Sequence, residues 1–145
     1  MKKQSFVLLL ILLLFFGLTS SKPKRKNPLT GKWTLVTATC NGIVDPGARK
    51  DRIQEYTDDQ IYHARVYQAD GTFELLYQGK YFMVDDTTMV SIRCDNDGKP
   101  ANLSNVYTVK VQNDTLHLCG FAIKSAQRNL LSFYLDEYWV RVKEN

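Results

Sequence analysis

Few side chains in this sequence combine the residue type and the spacing that covalent catalysis requires. Cys119 follows His117 by two residues, so on a strand the thiol and the imidazole lie on one face, as a thiol–imidazole nucleophile needs. Residues 104–112 and 115–123 are predicted to form a hairpin in which this face points outward. No Ser, His and Asp have a spacing typical of a catalytic triad. We therefore expect a protein that is not an enzyme.

Two pairs of adjacent carboxylates have a simpler interpretation than acid–base chemistry. Asp58-Asp59 and Asp85-Asp86 each lie near a predicted turn. Neighbouring side chains on a strand point to opposite faces, so the two carboxylates of a pair would not act on one substrate. We interpret all of them as solvated turn residues.

The cysteines and histidines do not have the spacing of a metal centre. Cys40, Cys94 and Cys119 are far apart in the chain, and only His63 and His117 accompany them. Because the number of cysteines is odd, at least one thiol stays unpaired or pairs with another chain. We predict no metal and no cofactor, and the disulfide pairing is left open.

After Pro28 the chain is predicted to consist of strands and turns. Short runs of β-branched and aromatic residues alternate with turn-forming Asp, Asn and Gly. The predicted strands span residues 32–40, 61–68, 72–78, 80–84, 87–94, 104–112, 115–123 and 131–143. Their short connections favour an all-β, antiparallel, up-and-down arrangement, as either a closed barrel or a two-sheet sandwich.

The first predicted hairpin turns at Asp70-Gly71, a pair that suits a two-residue turn. This turn places Val66 opposite Leu75 and directs His63 to the outer face, because side chains alternate along a strand. The residues predicted to share the inner face are Tyr62, Ala64, Val66, Phe73, Leu75 and Tyr77.

The second predicted hairpin turns at residues 113–114 and places Val109 opposite Leu118. The alternation weakens farther from the turn, where Phe121 falls on the outer face, and we expect a β-bulge at Gly120 to restore it. The residues predicted to share the buried face are Tyr107, Val109, Val111, Leu116, Leu118 and Gly120.

One predicted connection, residues 41–60, is unusually long. It contains Asp45-Pro46-Gly47, a charged run, and a segment near residues 50–56 that suits one or two turns of helix. Long connections of this kind are often lids or binding loops, and a solvated surface loop is the alternative.

Residues 1–21 are interpreted as a signal peptide. Lys2 and Lys3 precede an apolar run over residues 6–18, and small residues follow near Ser21. The run is short for a membrane span, with an uncleaved anchor as the alternative. We expect export across the inner membrane of a bacterium, a periplasmic or secreted location, and no membrane span after cleavage.

The positive charge of the chain lies mostly outside the predicted domain. The net charge is +4, but Lys2 and Lys3 leave with the signal peptide and residues 22–28 form a basic linker. From Asn27 onward 13 Lys or Arg stand against 15 Asp or Glu, a net charge of −2. Residues 29–145 suffice for one domain, and its charge does not favour nucleic acid as a partner.

A motif at the two ends of this domain resembles a known family. The first strand opens with Gly31-Lys32-Trp33, and the last ends with Glu-Tyr-Trp-Val-Arg-Val over residues 137–142. This arrangement resembles the lipocalins and the wider calycin superfamily, in particular the small secreted lipocalin-like domains of Gram-negative bacteria. The resemblance implies an eight-stranded antiparallel barrel in which Gly31 allows close backbone approach, Trp33 closes one end and Arg141 stacks on its ring.

A barrel of eight strands either holds one small ligand or is filled by its own side chains. We predict binding of a small hydrophobic or amphiphilic molecule in the bacterial cell envelope. The alternative is a filled barrel that acts as a protein-interaction or envelope-structural module, with exposed aromatics such as Phe121 and Tyr138 as contact points. The predicted ligand-binding residues are Trp33, Tyr62, Phe73, Tyr77, Tyr107 and Leu118.

Overall fold

The computed structural model describes residues 27–45, 51–126 and 129–143. The predicted signal peptide at residues 1–21 and all but the last two residues of the predicted linker lie outside the described residues. In the described ranges, no helix has the length and apolar character that a membrane crossing requires.

The described chain forms a single antiparallel sheet that closes on itself. Its strands are β1 (Gly31–Cys40), β2 (Ile43–Val44), β3 (Arg52–Tyr56), β4 (Ile61–Tyr67), β5 (Phe73–Met83), β6 (Thr88–Cys94), β7 (Pro100–Gln112), β8 (Thr115–Ala126) and β9 (Asn129–Arg141). The short β2 pairs only with the end of β1, and the other eight strands form the barrel in chain order. The predicted eight-stranded up-and-down barrel is confirmed, and the sandwich is excluded.

The first and last strands form the seam that closes the barrel. β1 begins against β3 and continues against β9, where Trp33 lies opposite Arg141 and Leu35 opposite Trp139. A register shift between Leu35 and Thr37 leaves Val36 unpaired, and the ladder then extends to Cys40. β1 therefore has β9 on one side and, at its two ends, β3 or β2 on the other, which closes the sheet into a barrel.

The long predicted connection contains a barrel strand. Arg52–Tyr56 is β3, which pairs with β1 and β4, so the expected helical turns and the expected lid over residues 41–60 are wrong in this half. The strand was missed because Arg52 and Gln54 point into the barrel, where an apolar side chain is the usual signal. Residues 46–50 of the predicted connection lie outside the described residues.

The predicted strands 72–78 and 80–84 are one continuous strand, β5. Gly79 does not end the strand but lies buried opposite Tyr62. A Cβ at this position would overlap the carbonyl oxygen of Ile92 and lie 2.5 Å from Tyr62 Cε1. The glycine therefore marks a close approach of neighbouring strands, as glycines inside strands often do.

The first hairpin contains a bulge that the sequence did not predict. Gly71 N–H donates to the Gln68 carbonyl, and Tyr67 lies opposite Phe73, one residue out of the predicted register. Between Arg65 and Ala64 the partner strand has one extra residue, Leu76, which is unpaired. This extra residue cancels the offset, so the predicted register holds from Ala64 and Tyr77 onward. Since a shift of one residue reverses the faces, the predicted inward orientation of Phe73 and Leu75 is wrong.

The second hairpin has the predicted register over its whole length. Val109 lies opposite Leu118, and the ladder continues without a shift to Leu103 and Lys124. The expected bulge at Gly120 is therefore wrong, and Phe121 stays on the outer face, 52% exposed.

The hydrophobic core fills the half of the barrel around Trp33. Its members are Leu29, Trp33, Leu35, Ala38, Tyr56, Tyr62, Tyr81, Met89, Tyr107, Val109, Leu116, Leu118 and Trp139. Two tryptophans and several tyrosines make this half a packed floor rather than a pocket. The space that remains lies toward the other end.

Candidate functional site

The floor of the barrel is built by the residues of the terminal motif. Trp33 is fully buried, and its indole N–H donates to the Leu29 carbonyl at 2.8 Å. The Arg141 guanidinium carbon lies 4.1 Å from the centre of the Trp33 ring, a cation–π contact, and Arg141 Nη1 donates to the Thr30 carbonyl at 2.9 Å. Gly31 has a φ of +125°, and a Cβ there would lie 2.7 Å from Arg141 Nη1. Arg141 thus stacks on the Trp33 ring, as the resemblance implies, and the group that approaches Gly31 is the Arg141 side chain rather than neighbouring backbone.

Above the floor lies a cavity of about 140 Å³. Every barrel strand except β1 contributes to it, so the cavity is the upper part of the lumen. It is lined by Asp45, Arg52, Gln54, Tyr62, Tyr77, Ser91, Arg93, Leu103, Asn105, Tyr107, Ala122, Leu135 and Glu137. Most of these side chains are polar or charged, in contrast to the floor.

A buried ion pair lies in this lumen and joins β3 and β9, the two strands that flank β1. Arg52 Nη2 lies 2.8 Å from Glu137 Oε1, and the two side chains are only 12% and 10% exposed. The guanidinium carbon of Arg52 also lies 4.8 Å from the centre of the Trp139 ring, at the top of the packed floor. Removing two charges from water costs free energy even when they are paired, and apolar side chains could fill the same space. The ion pair is therefore not explained by packing of the core alone.

Two polar atoms at the cavity have no hydrogen-bond partner. They are Arg52 Nε, a donor, and Asn105 Oδ1, an acceptor, and both are buried. The amide of Asn105 donates to Ser91 Oγ at 3.1 Å, so the rest of the side chain is held in place. Unpaired buried polar atoms are rare in folded proteins, and two of the four found among the described residues belong to this cavity.

The tyrosines of the lumen are protonated at neutral pH. Burial raises the pKa of Tyr107 well above its usual value, and the negative charge of Glu137 raises it further. Burial likewise raises the pKa of Tyr62 and Tyr77. Their hydroxyls therefore keep the proton that a hydrogen bond to a ligand would use.

The predicted ligand-binding residues fall into three groups. Tyr62, Tyr77 and Tyr107 line the cavity, as predicted from their inner face. Trp33 and Leu118 belong to the packed floor and are fully buried there. Phe73 lies on the outer surface and is 51% exposed, because the bulge at Leu76 reverses the face to which the preceding side chains of β5 point.

The charged and amide residues of the cavity were not predicted. Asn105 lies two residues from Tyr107 on β7 and so shares its inner face. The alternation of side chains along the strand is therefore a sufficient signal to predict that Asn105 points into the barrel. Arg52 and Gln54 carry the same signal on β3, opposite Val66 and Ala64, but that strand was not recognised.

The thiol and imidazole of β8 lie on the outer face. His117 Nε2 lies 2.8 Å from Asp136 Oδ1, and its ring stacks on Tyr138 with ring centres 4.1 Å apart. Cys40, Cys94 and Cys119 are free thiols. Among the described residues, no group of three or more His, Cys, Asp and Glu is placed to hold a metal ion.

The fold and the tryptophan–arginine floor define a closed eight-stranded antiparallel β-barrel, an architecture consistent with a lipocalin-like fold. Comparison with protein-family models and with curated proteins found no match.

Proposed function

We propose that this barrel binds a small amphiphilic molecule whose polar group enters the upper lumen. The observation that carries the proposal is the cavity itself, where a buried ion pair and two unpaired polar atoms occupy a lumen that apolar side chains fill elsewhere. Binding sites usually combine apolar walls with a few fixed polar groups. Leu103, Leu135 and Ala122 supply the apolar part of this wall.

The size of the cavity limits the ligand. About 140 Å³ is close to the roughly 150 Å³ cavity that holds benzene in another protein, and below the roughly 300 Å³ at which drug-sized pockets begin. A purely hydrophobic ligand fits the lining poorly, because it would leave Arg52 and Glu137 desolvated without new partners. The amphiphilic class predicted from sequence is therefore preferred to the hydrophobic one.

The place of action follows from the predicted export. We propose a binding protein of the bacterial cell envelope, periplasmic or secreted, without enzymatic activity. The support is the signal peptide pattern at residues 1–21 and the absence of a spacing typical of a catalytic site in the sequence.

The proposal is tested by native mass spectrometry of the protein purified from its own cells. We expect a noncovalent small-molecule adduct on the wild-type protein and its loss in Ala122→Met, which extends a buried cavity-lining side chain into the lumen. Ile123→Met, at the neighbouring outward position of β8, is the control and should keep the adduct.

If Ala122→Met does not fold, Leu103→Phe fills the same cavity from β7 and takes its place. Wild-type protein that carries no adduct, or an adduct that survives in a folded cavity-filling variant, would contradict binding in the lumen.

A second candidate function is docking of a protein partner on the outer face of β8 and β9. Phe121 and Tyr134 are both exposed there and pack edge to face, with ring centres 5.2 Å apart, and the exposed Tyr138 lies on the same face. Exposed aromatic clusters are typical of interaction surfaces. Loss of a partner in Phe121→Ser with an unchanged lumen adduct would assign this face a separate role.

A further inference from the structure

We propose that the polar group held in the lumen is an oxyanion, such as a carboxylate, and that Arg93 is its principal partner. This inference rests on the proposed function and adds the chemical class of the ligand. It depends on the charges of the cavity and on which of them are already paired.

Arg93 differs from the other described arginines in its partners. The other three each lie within 4 Å of a carboxylate oxygen. The pairs are Arg52 with Glu137, Arg65 with Glu55, and Arg141 with Asp114. No carboxylate of the described residues lies within ion-pair distance of Arg93. Its guanidinium carbon instead lies 4.2 Å from the centre of the Tyr77 ring.

The position of Arg93 places this charge in the cavity. On β6 it lies opposite Gly79 of β5, where the Tyr62 ring occupies the space that a Cβ would need, so Arg93 shares the inner face with Tyr62 and Tyr77. Arg93 is partly exposed and lines the cavity. A cation against an aromatic ring keeps its N–H groups available, so it can accept an anion without losing the ring contact.

The other charged groups of the cavity are engaged. Glu137 is bound to Arg52, and Asp45 at the rim has interactions of its own. An incoming carboxylate would therefore neutralise Arg93 without displacing an existing ion pair. The unpaired Arg52 Nε supplies a second N–H donor in the same lining.

The class of ligand is tested with three probes of one shape: benzoate, benzyl alcohol and benzylamine. Binding is measured by isothermal titration calorimetry. We expect benzoate to bind about tenfold or more tightly than benzyl alcohol, which is the scale of one charge-assisted hydrogen bond, and benzylamine to bind least.

The same titrations with variants assign the effect to Arg93. Arg93→Gln should lose about tenfold or more in benzoate affinity and leave benzyl alcohol unchanged, and Arg93→Lys should recover part of the benzoate affinity. Arg65→Gln is the matched control, because Arg65 lies on the outer face and pairs with Glu55. Titration with sulfate separates an inorganic oxyanion from an organic one, and tighter binding of benzoate than of sulfate assigns the site to an organic acid.

The outcomes separate this inference from the proposed function. Equal affinities for benzoate and benzyl alcohol, both abolished by Ala122→Met, would overturn the oxyanion and keep a ligand site in the lumen. Unchanged benzoate affinity in Arg93→Gln would also overturn it. Absence of binding for all probes, or binding that Ala122→Met leaves intact, would count against both proposals.

Discussion

At the level of single residues, the most informative contact is the ion pair of Arg52 and Glu137. Both side chains are about nine-tenths buried, so each charge has lost most of its hydration and depends on the other. The Arg65–Glu55 pair has the same 2.8 Å separation on the outer face, with side chains 36% and 25% exposed. The two pairs differ mainly in solvent access.

We expect Glu137→Gln to destabilise the fold by about 3 kcal/mol, because it leaves the buried Arg52 charge without a counter-charge. Glu55→Gln is the matched control and should cost at most about 1 kcal/mol, as exposed pairs do. Urea unfolding of the two variants measures both values. Equal losses would mean that the lumen is as hydrated as the outer surface.

At the level of elements, Gly120 shows how closely β7 and β8 approach. It is buried opposite Tyr107, and a Cβ there would overlap the carbonyl oxygen of Val106 and lie 2.9 Å from Tyr107 Cα. Gly120→Ala should therefore destabilise the protein by about 1–3 kcal/mol in urea unfolding, since the backbone must move. Ser125→Ala, exposed on the same strand, should change stability by less than about 0.5 kcal/mol. A neutral Gly120→Ala would show that the strands have room to separate.

The elements also show which parts of the fold could be predicted from the sequence. The turn at residues 113–114 fixes the register of β7 and β8, and the regular alternation then predicts which side chains point inward. The bulge at Leu76 leaves no comparable signal, because the exposed Leu75 and Phe73 are as apolar as core residues.

The candidate site was predicted only in part, for a related reason. Its tyrosines were found because aromatic residues on an inner face are expected to be buried. Arg52 and Glu137 were not found, because polar residues are normally assigned to solvent. Only the closed structure shows that their faces meet inside the barrel.

At the level of the whole molecule, the buried tyrosines link stability to alkaline pH. Burial raises the pKa of Tyr56, Tyr62 and Tyr107 in the folded protein, whereas tyrosines in the unfolded chain ionise near pH 10. Above about pH 10 the unfolded state therefore loses protons that the folded state keeps, and the free energy of unfolding decreases. Below about pH 10 these tyrosines are protonated in both states, so they do not change the free energy of unfolding with pH.

Urea unfolding measured from about pH 8 to pH 11 checks this prediction. The free energy of unfolding should fall above about pH 10, and Tyr107→Phe should reduce the slope because one raised pKa is removed. Phenolate absorbance that develops near pH 10 for every tyrosine of the folded protein would contradict it.

All of these properties depend on closure of the sheet between its first and last strands. NMR measurement of NOEs between β1 and β9 in solution tests closure most directly. The barrel predicts NOEs that connect Trp33 with Arg141 and Leu35 with Trp139, in addition to those between β1 and β3. NOEs from β1 to β3 without any from β1 to β9 would contradict the closed barrel, and with it the lumen and its proposed ligand.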